Sequence, residues 1–344
     1  MCTTYSEPVY EVLSKYPLNV TGIKNESYKD KKGVWWVYTD NDKKILKKVS
    51  NSEETLKHIL HSVNHLVSNG IFIPSVNATR DGLSYVNFEG SLFVLIDAIE
   101  GRNPAYNSPA ELDLVVRGLA RFHKASKGFT PCPDSKPKYH LGTWVDEYTR
   151  QLNDIYGFYE QELASKTTNA IGSLIIKEFP DIYKRGSAAI EALQGKEYEE
   201  WVNYAKKAGG LCHQDFAAGN LIITPSGKLY ILDTDSITID IPARDIRKLL
   251  HKVMKKAGKW DPDLTAKMLK SYQAENPLSF SMWQVVKYDI MFPHLFIGAS
   301  NKYYYKRDKE WSNEKYLERI KEMLRFEKTI NPVLQNFESL IPVV

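Results

Sequence analysis

The period of the hydrophobic pattern changes along this chain, and that change limits the folds open to it. In the first hundred residues apolar and aromatic positions alternate, as in GVWWVYTD (33–40) and KKILKKV (43–49), the two-residue repeat of half-buried strands. The turn Thr39-Asp40-Asn41-Asp42 between them makes the two strands antiparallel neighbours. Residues 50–70 carry one helix: Ser50 or Ser52 caps it, Leu56, Ile59, Leu60, Val63, Leu66 and Val67 form its apolar stripe, and Gly70 ends it. IFIPSV (71–76) and residues 82–101 read as further strands. From Glu111 onward the apolar spacing is three to four, as in ELDLVVRGLARFHKASKG and YLERIKEMLRFEKTI. A β-rich start followed by helices predicts an α+β protein, with a small lobe over 1–98 and a larger helical lobe over 99–344. The composition shift at IEGRNP marks the boundary. A chain of 344 residues also exceeds what one hydrophobic core usually serves.

The N-terminus has no basic segment followed by an apolar one, and no run reaches the roughly 18 apolar residues of a membrane span. Synthesis in the cytoplasm and no membrane partner are expected. Cys2, Cys132 and Cys212 are odd in number and far apart, so neither a disulfide framework nor a thiolate zinc site is suggested. Net charge is +4, divided as +7 over 244–344 (19 Lys+Arg, 12 Asp+Glu) and −3 before it. NKYYYKRDKEW (301–311) interleaves aromatic and basic residues as single-strand nucleic-acid surfaces do. With near-neutral charge and no matching motif, a surface or partner contact is the better reading, and no nucleic acid is expected.

One later stretch returns to strand-like apolar runs: HQDFAAGNLIITPSGKLYILDTD, residues 213–235. LIIT and KLYIL flank Pro225-Ser226-Gly227, a hairpin signal. If Thr224 pairs with Leu229, then Asn220 faces Asp233, and directly opposed residues have Cβ atoms only ~5 Å apart. An amide oxygen and a carboxylate converging there are hard ligands suited to Mg²⁺, an ion commonly shared with phosphates. Asp215, five positions before Asn220, is placed to orient or deprotonate an attacking hydroxyl. One carboxylate for the nucleophile, with an amide and a carboxylate for metal, is the set that phosphoryl transfer needs.

HQDFAAGN and LDTD resemble the catalytic and metal motifs of the aminoglycoside phosphotransferase and choline kinase family, which has the protein-kinase-like bilobal fold. LFVLIDAIEGR is similar to its interlobe hinge, PARDIRKLL to its post-metal segment, and LARFHKASKGF most resembles the spore-coat members, the coat protein S and coat protein I type. The resemblance implies ATP and Mg²⁺ as cofactors, with Asp215 catalytic, His213 ordering the catalytic loop, and Asn220 and Asp233 binding metal. It implies Lys47 on the nucleotide phosphates and backbone groups of Asp97, Ala98 and Ile99 on the adenine. It also implies an acceptor hydroxyl on a small molecule or protein, and spore-coat proteins as partners.

Several alternatives stay open. Lys48 competes with Lys47, since a one-residue slip turns a strand side chain to the other face. Glu53 and Glu54 are the only acids near the start of the following helix, where they equally serve its dipole. Asp235 either assists the metal or braces the loop. His58, His61 and His65 include an i, i+4 pair, but no HExxH pattern accompanies it, so ordinary histidines are the better reading. A coat component with this fold and little catalysis is the rival to the enzyme, and nucleotide-independent metal-assisted hydrolysis is a third reading.

Overall fold

Alternation along residues 33–37 sets the first sheet. In the computed structural model, which describes residues 7–29, 32–307 and 310–342, Trp35 and Val37 are buried while Val34 and Trp36 are partly exposed. Five antiparallel strands, β1 (Val20–Lys29), β2 (Lys32–Thr39), β3 (Lys43–Val49), β4 (Val86–Phe88) and β5 (Ser91–Asp97), lie in the order β1-β2-β3-β5-β4. One sheet face packs Trp35, Val37, Leu46, Phe93 and Leu95 on Val12, Leu13 and Tyr16, in and just after the short helix α1 (Val9–Leu13). The other packs Val49, Leu92 and Val94 on Leu56 and Leu60 of α2 (Glu53–Ser68). The side chain of Ser52 caps α2 by accepting from the Thr55 amide, and Val67, counted in the expected stripe, is exposed.

Two expectations are corrected here. IFIPSV is not a strand: only Val76 bridges, to Ile96, because Pro74 has no N–H to give a ladder. The compact units also do not follow a single cut after residue 98. Unit 1 comprises residues 1–104, 130–138 and 218–237, and unit 2 the rest. The hairpin of β7 (Leu221–Ile223) and β8 (Leu229–Ile231) therefore packs with the β-rich unit. Arg102 and Ile223 exchange backbone hydrogen bonds of 3.1 and 2.8 Å, and Ile231 N–H donates to the Phe72 carbonyl at 2.9 Å. Gly101 permits this approach, since a Cβ there would sit 2.4 Å from the Ile223 carbonyl oxygen.

Unit 2 is helical: α3 (Pro109–Ala125), α4 (Trp144–Ala164), α5 (Ala170–Leu193), α6 (Lys196–Ala208), α7 (Ala243–Ala257), α8 (Pro262–Glu275), α9 (Phe280–Met291), α10 (His294–Tyr304), α11 (Asn313–Glu327) and α12 (Asn331–Leu340), with β6 (Leu211–Cys212) pairing β9 (Thr238–Ile239). Its core stacks Trp144 on Tyr148 and Tyr148 on Phe292. Two buried charge clusters fix α7 against this core. Arg244 joins Asp240 and Glu147, and Arg247 joins Asp289, which also accepts from the Tyr148 hydroxyl at 2.6 Å. Buried ions survive only when paired and hydrogen-bonded, so these clusters fix the azimuth of α7 as well as its position. Among the described residues no helix is long and apolar enough to cross a membrane, and Cys2 lies outside them, as do Asp308 and Lys309 of the 301–311 stretch.

Candidate functional site

The residues expected to form the site fall in both units. In unit 1, β3 pairs with β5 so that Lys47 lies opposite Val94 and Lys48 opposite Phe93. Val94 belongs to the α2 face and Phe93 to the α1 face, so the two lysines point to opposite sides. Lys48 pairs with Glu7 at 2.7 Å. Lys47 Nζ lies 3.8 Å from Asp233 Oδ1, and both line a small cavity, about 50 Å³, whose apolar wall includes Leu56, Leu60, Val94 and Ile96. The register thus distinguishes the two lysines that the sequence left open. Glu53 turns elsewhere, accepting from Tyr85 at 2.6 Å and pairing with Lys57 at 3.3 Å.

The hairpin register is one residue off the expectation. Leu221 pairs with Ile231, Ile222 with Tyr230 and Ile223 with Leu229, so Leu232 stands opposite Asn220 and donates its N–H to the Asn220 carbonyl at 2.8 Å. The cause is Gly227. Its N–H donates to the Thr224 carbonyl at 2.9 Å, its φ is 78°, and Thr224 N–H reaches the Lys228 carbonyl at 3.0 Å. A turn with Pro at its second position and a left-handed glycine at its fourth adds one bulged residue to the loop. Asp233 is then the first residue past the ladder and takes a left-handed conformation, φ 53° and ψ 61°. Its neighbour Asp235 lies 3.8 Å from Lys32, and its carbonyl accepts from Lys138 at 2.7 Å. Asn220, Asp233 and Asp235 offer only hard oxygens, the donor set that fits Mg²⁺ rather than a softer metal.

The backbone expected to hold adenine is partly committed. Asp97 N–H donates to Ser75 at 3.0 Å and Ala98 N–H to Lys43 at 3.1 Å. Asp97 itself is held by Lys44 at 2.8 Å and Asn77 at 2.9 Å. Ile99 N–H has no internal acceptor among the described residues, which leaves it the available donor of the three.

In unit 2, His213 is fully buried against Phe122 and Phe216, and its Nδ1 accepts from the Asp215 amide at 3.3 Å. Gln214 between them is left-handed, φ 71°. This tight loop is hung from one side chain that sequence reasoning did not single out: Asp245, in the segment PARDIRKLL. Its Oδ2 accepts from His213 N–H at 2.6 Å and its Oδ1 from Gln214 N–H at 2.8 Å. Burial alone would raise the Asp245 pKa, but hydrogen bonding and charge from His123 (3.2 Å), with Lys248 and His213 nearby, bring it down to about 2. One helical turn apart on α7, Lys248 holds the Gln214 carbonyl at 2.9 Å and Lys252 meets Asp215 Oδ1 at 2.5 Å. A carboxylate two residues after the motif histidine hinted at a catalytic loop; the helix that grips it carried no separate signal.

Cys212 is not a nucleophile, because full burial pushes its thiol well above the ordinary value. Among the described residues the one group of three potential metal ligands, His123, Cys212 and Asp245, is already occupied. His123 binds the Tyr272 hydroxyl at 2.8 Å as well as Asp245, and Cys212 Sγ donates to the Ile241 carbonyl. Of the helix histidines, His58 is buried and His61 contacts the Thr130 carbonyl at 3.0 Å.

Comparison with known proteins agrees with this fold. The family model "Spore coat putative kinase YutH" matches residues 18–337. The chain is 32% identical to spore coat protein S of Bacillus subtilis (strain 168) over 332 residues, which cover 96% of this chain and 94% of that protein. Its fold is similar to the crystal structure of an aminoglycoside phosphotransferase from Alicyclobacillus acidocaldarius, with a TM-score of 0.82 at 15% identity and 98% of each chain covered. It is also similar to spectinomycin phosphotransferase in complex with ADP and spectinomycin, with a TM-score of 0.64 at 13% identity, covering 94% of this chain and 96% of that one.

Proposed function

This chain belongs to the YutH family of spore-coat kinase-like proteins, and on that premise we propose that it is an ATP- and Mg²⁺-dependent phosphotransferase acting on a hydroxyl group at the spore coat. The observation that carries the reading is the approach of Lys47 to Asp233, 3.8 Å apart at one cavity. An ammonium beside a carboxylate is poised to exchange that partner for nucleotide phosphates, while the carboxylate takes a divalent ion. Asn220 and Asp233 would hold Mg²⁺, which when bound neutralises the phosphate oxygens it shares. Ile99 N–H is the donor for the adenine edge. Asp215 orients the acceptor hydroxyl and takes its proton, with Lys252 as its counter-charge before the acceptor arrives. Such a site works by positioning and electrostatic stabilisation rather than covalent chemistry.

The test is Mg²⁺-dependent ATP turnover in the full chain and in Asp233→Asn. Turnover in the parent and its loss in the variant is the expected result, and undiminished turnover in the variant would falsify the reading.

One observation favours a second reading, a coat component with this fold and little catalysis. One of the two acids at the start of α2, Glu53, is engaged by Tyr85 and Lys57, not by Lys47, whereas kinase activity commonly needs a lysine–glutamate pair of that kind. Calorimetry with Mg²⁺-ATP separates the two: saturable binding supports the enzyme, and its absence supports the structural role.

A further inference from the structure

Outside the phosphotransfer machinery, the helical unit contains a groove with a different chemistry. Helices α3 and α8 are tied together at one end, where Arg117 meets Glu275 at 3.1 Å and Ser271 donates to Asp113 at 2.5 Å. Along these two helices, from Pro109 to Arg117 of α3 and from Leu264 to Ala274 of α8, lies a cavity of about 580 Å³, within the ~300–1,000 Å³ range of small-molecule sites. Its wall is apolar: Leu112 and Val116 of α3, Val253 of α7, and Leu264 and Met268 of α8, with the ring of Tyr106 also lining it.

The charges on the lining are of one sign once pairing is counted. Asp113 is neutralised by Arg117 at 2.8 Å. Lys256, Lys267 and Lys270 are exposed, and none pairs with a carboxylate among the described residues. Lys256 lies 5.9 Å from the Tyr106 ring centroid. An apolar trough bordered by three uncompensated ammonium groups repels cations and attracts an anion that carries its own apolar body.

We propose that this groove binds a small amphipathic anion, its apolar part against Leu112, Val253 and Met268 and its acid group among Lys256, Lys267 and Lys270. Helix α7 ties the groove to the catalytic loop. Lys252, which holds Asp215, precedes Lys256 by one helical turn, about 5.4 Å along the axis. The assignment goes beyond the phosphotransfer reading and does not depend on it.

The experiment titrates the full chain with decanoate by calorimetry, using decyltrimethylammonium as a probe of equal chain length and opposite charge. Decanoate should bind saturably at one site, at least about ten-fold more tightly than the cation, a difference of about 1.4 kcal/mol. Two changes at exposed positions localise it. The double substitution Lys267→Glu, Lys270→Glu should remove that preference, and Ala274→Trp should block decanoate by filling the trough while leaving Mg²⁺-ATP titrations unchanged. Equal affinity for both probes, or undiminished decanoate binding in Ala274→Trp, overturns the assignment, and the probe comparison on the unaltered chain needs no variant. No saturable decanoate binding up to about 1 mM also overturns it, and turns attention to a peptide as the occupant of the groove.

Discussion

Two aspartates near the candidate chemistry, Asp245 and Asp233, are held in opposite ways. Asp245 is buried and saturated: two backbone N–H groups and His123 bond its carboxylate, and its pKa is brought down to about 2. Asp233 stands past the end of a short ladder, its side chain 47% exposed, in a left-handed conformation with Lys47 at 3.8 Å. The first has no capacity left for a ligand, and the second has been left with it. A rigid anchor and an unsaturated donor are both needed, because a reacting group must be fixed by its neighbours without being consumed by them.

The sharpest way to break this contrast is to remove the anchor. Asp245→Ala strands the His213 and Gln214 amides and uncovers His123, so it should cost about 3–5 kcal/mol of stability in urea unfolding, along with any turnover. Asp245→Asn, which retains one acceptor oxygen, should cost less. Asp233→Asn should by contrast leave the urea midpoint within about 0.5 kcal/mol of the parent while abolishing turnover. If both aspartates proved equally costly to folding, the division between anchor and donor would be wrong.

Acid sharpens the comparison between the units. In unit 1, burial first, and then the nearby charges of His61 and Lys138, lower the His58 pKa to about 4 from an ordinary 6.5. A base with a depressed folded pKa binds protons in the unfolded chain first. The stability it contributes is therefore whole above about pH 6.5 and declines as pH falls toward 4, by something of the order of 2 kcal/mol. For Asp245 in unit 2, depressed from 3.8 to about 2, the loss comes only below pH 4. Unfolding monitored from pH 7 to 4 should thus become less acid-sensitive in His58→Phe, with no matching change in Asp245→Asn over the same window.

How far the chain could be read in advance follows the same contrast. The fold was legible: the change of period placed the sheet and helices, and Lys47 and Asp233, from separate segments, lie 3.8 Å apart. The register between Asn220 and Asp233 was not legible, because one left-handed residue, Gly227, shifts every pair by one, and sequence alone does not say whether a Pro-Ser-Gly loop will bulge. The anchor was invisible for a different reason. Asp245, Lys248 and Lys252 lie on one stripe of α7 with an ordinary amphipathic pattern, and nothing in that pattern says which loop the stripe will meet. The membership of residues 218–237 in unit 1 was likewise hidden, since it rests on Gly101 admitting the Ile223 carbonyl.

The finest test uses adjacent residues on one strand. Lys47 and Lys48 are equal in charge and one position apart, yet the pairing of β3 with β5 sends Lys47 to the cavity with Asp233 and Lys48 to Glu7. Lys48→Ala loses a partly buried ion pair and should cost about 1 kcal/mol in urea unfolding, with Mg²⁺-ATP affinity unaltered. Lys47→Ala should change stability as little or less, since its partner is half exposed, but should weaken Mg²⁺-ATP binding by calorimetry about ten-fold or more. The alternation of a strand makes this comparison strict, because neither backbone nor composition differs between the two sites. If Lys48→Ala weakened nucleotide binding as much as Lys47→Ala, the facing of β3 would not be what selects the lysine, and the approach of Lys47 to Asp233 would lose its functional meaning.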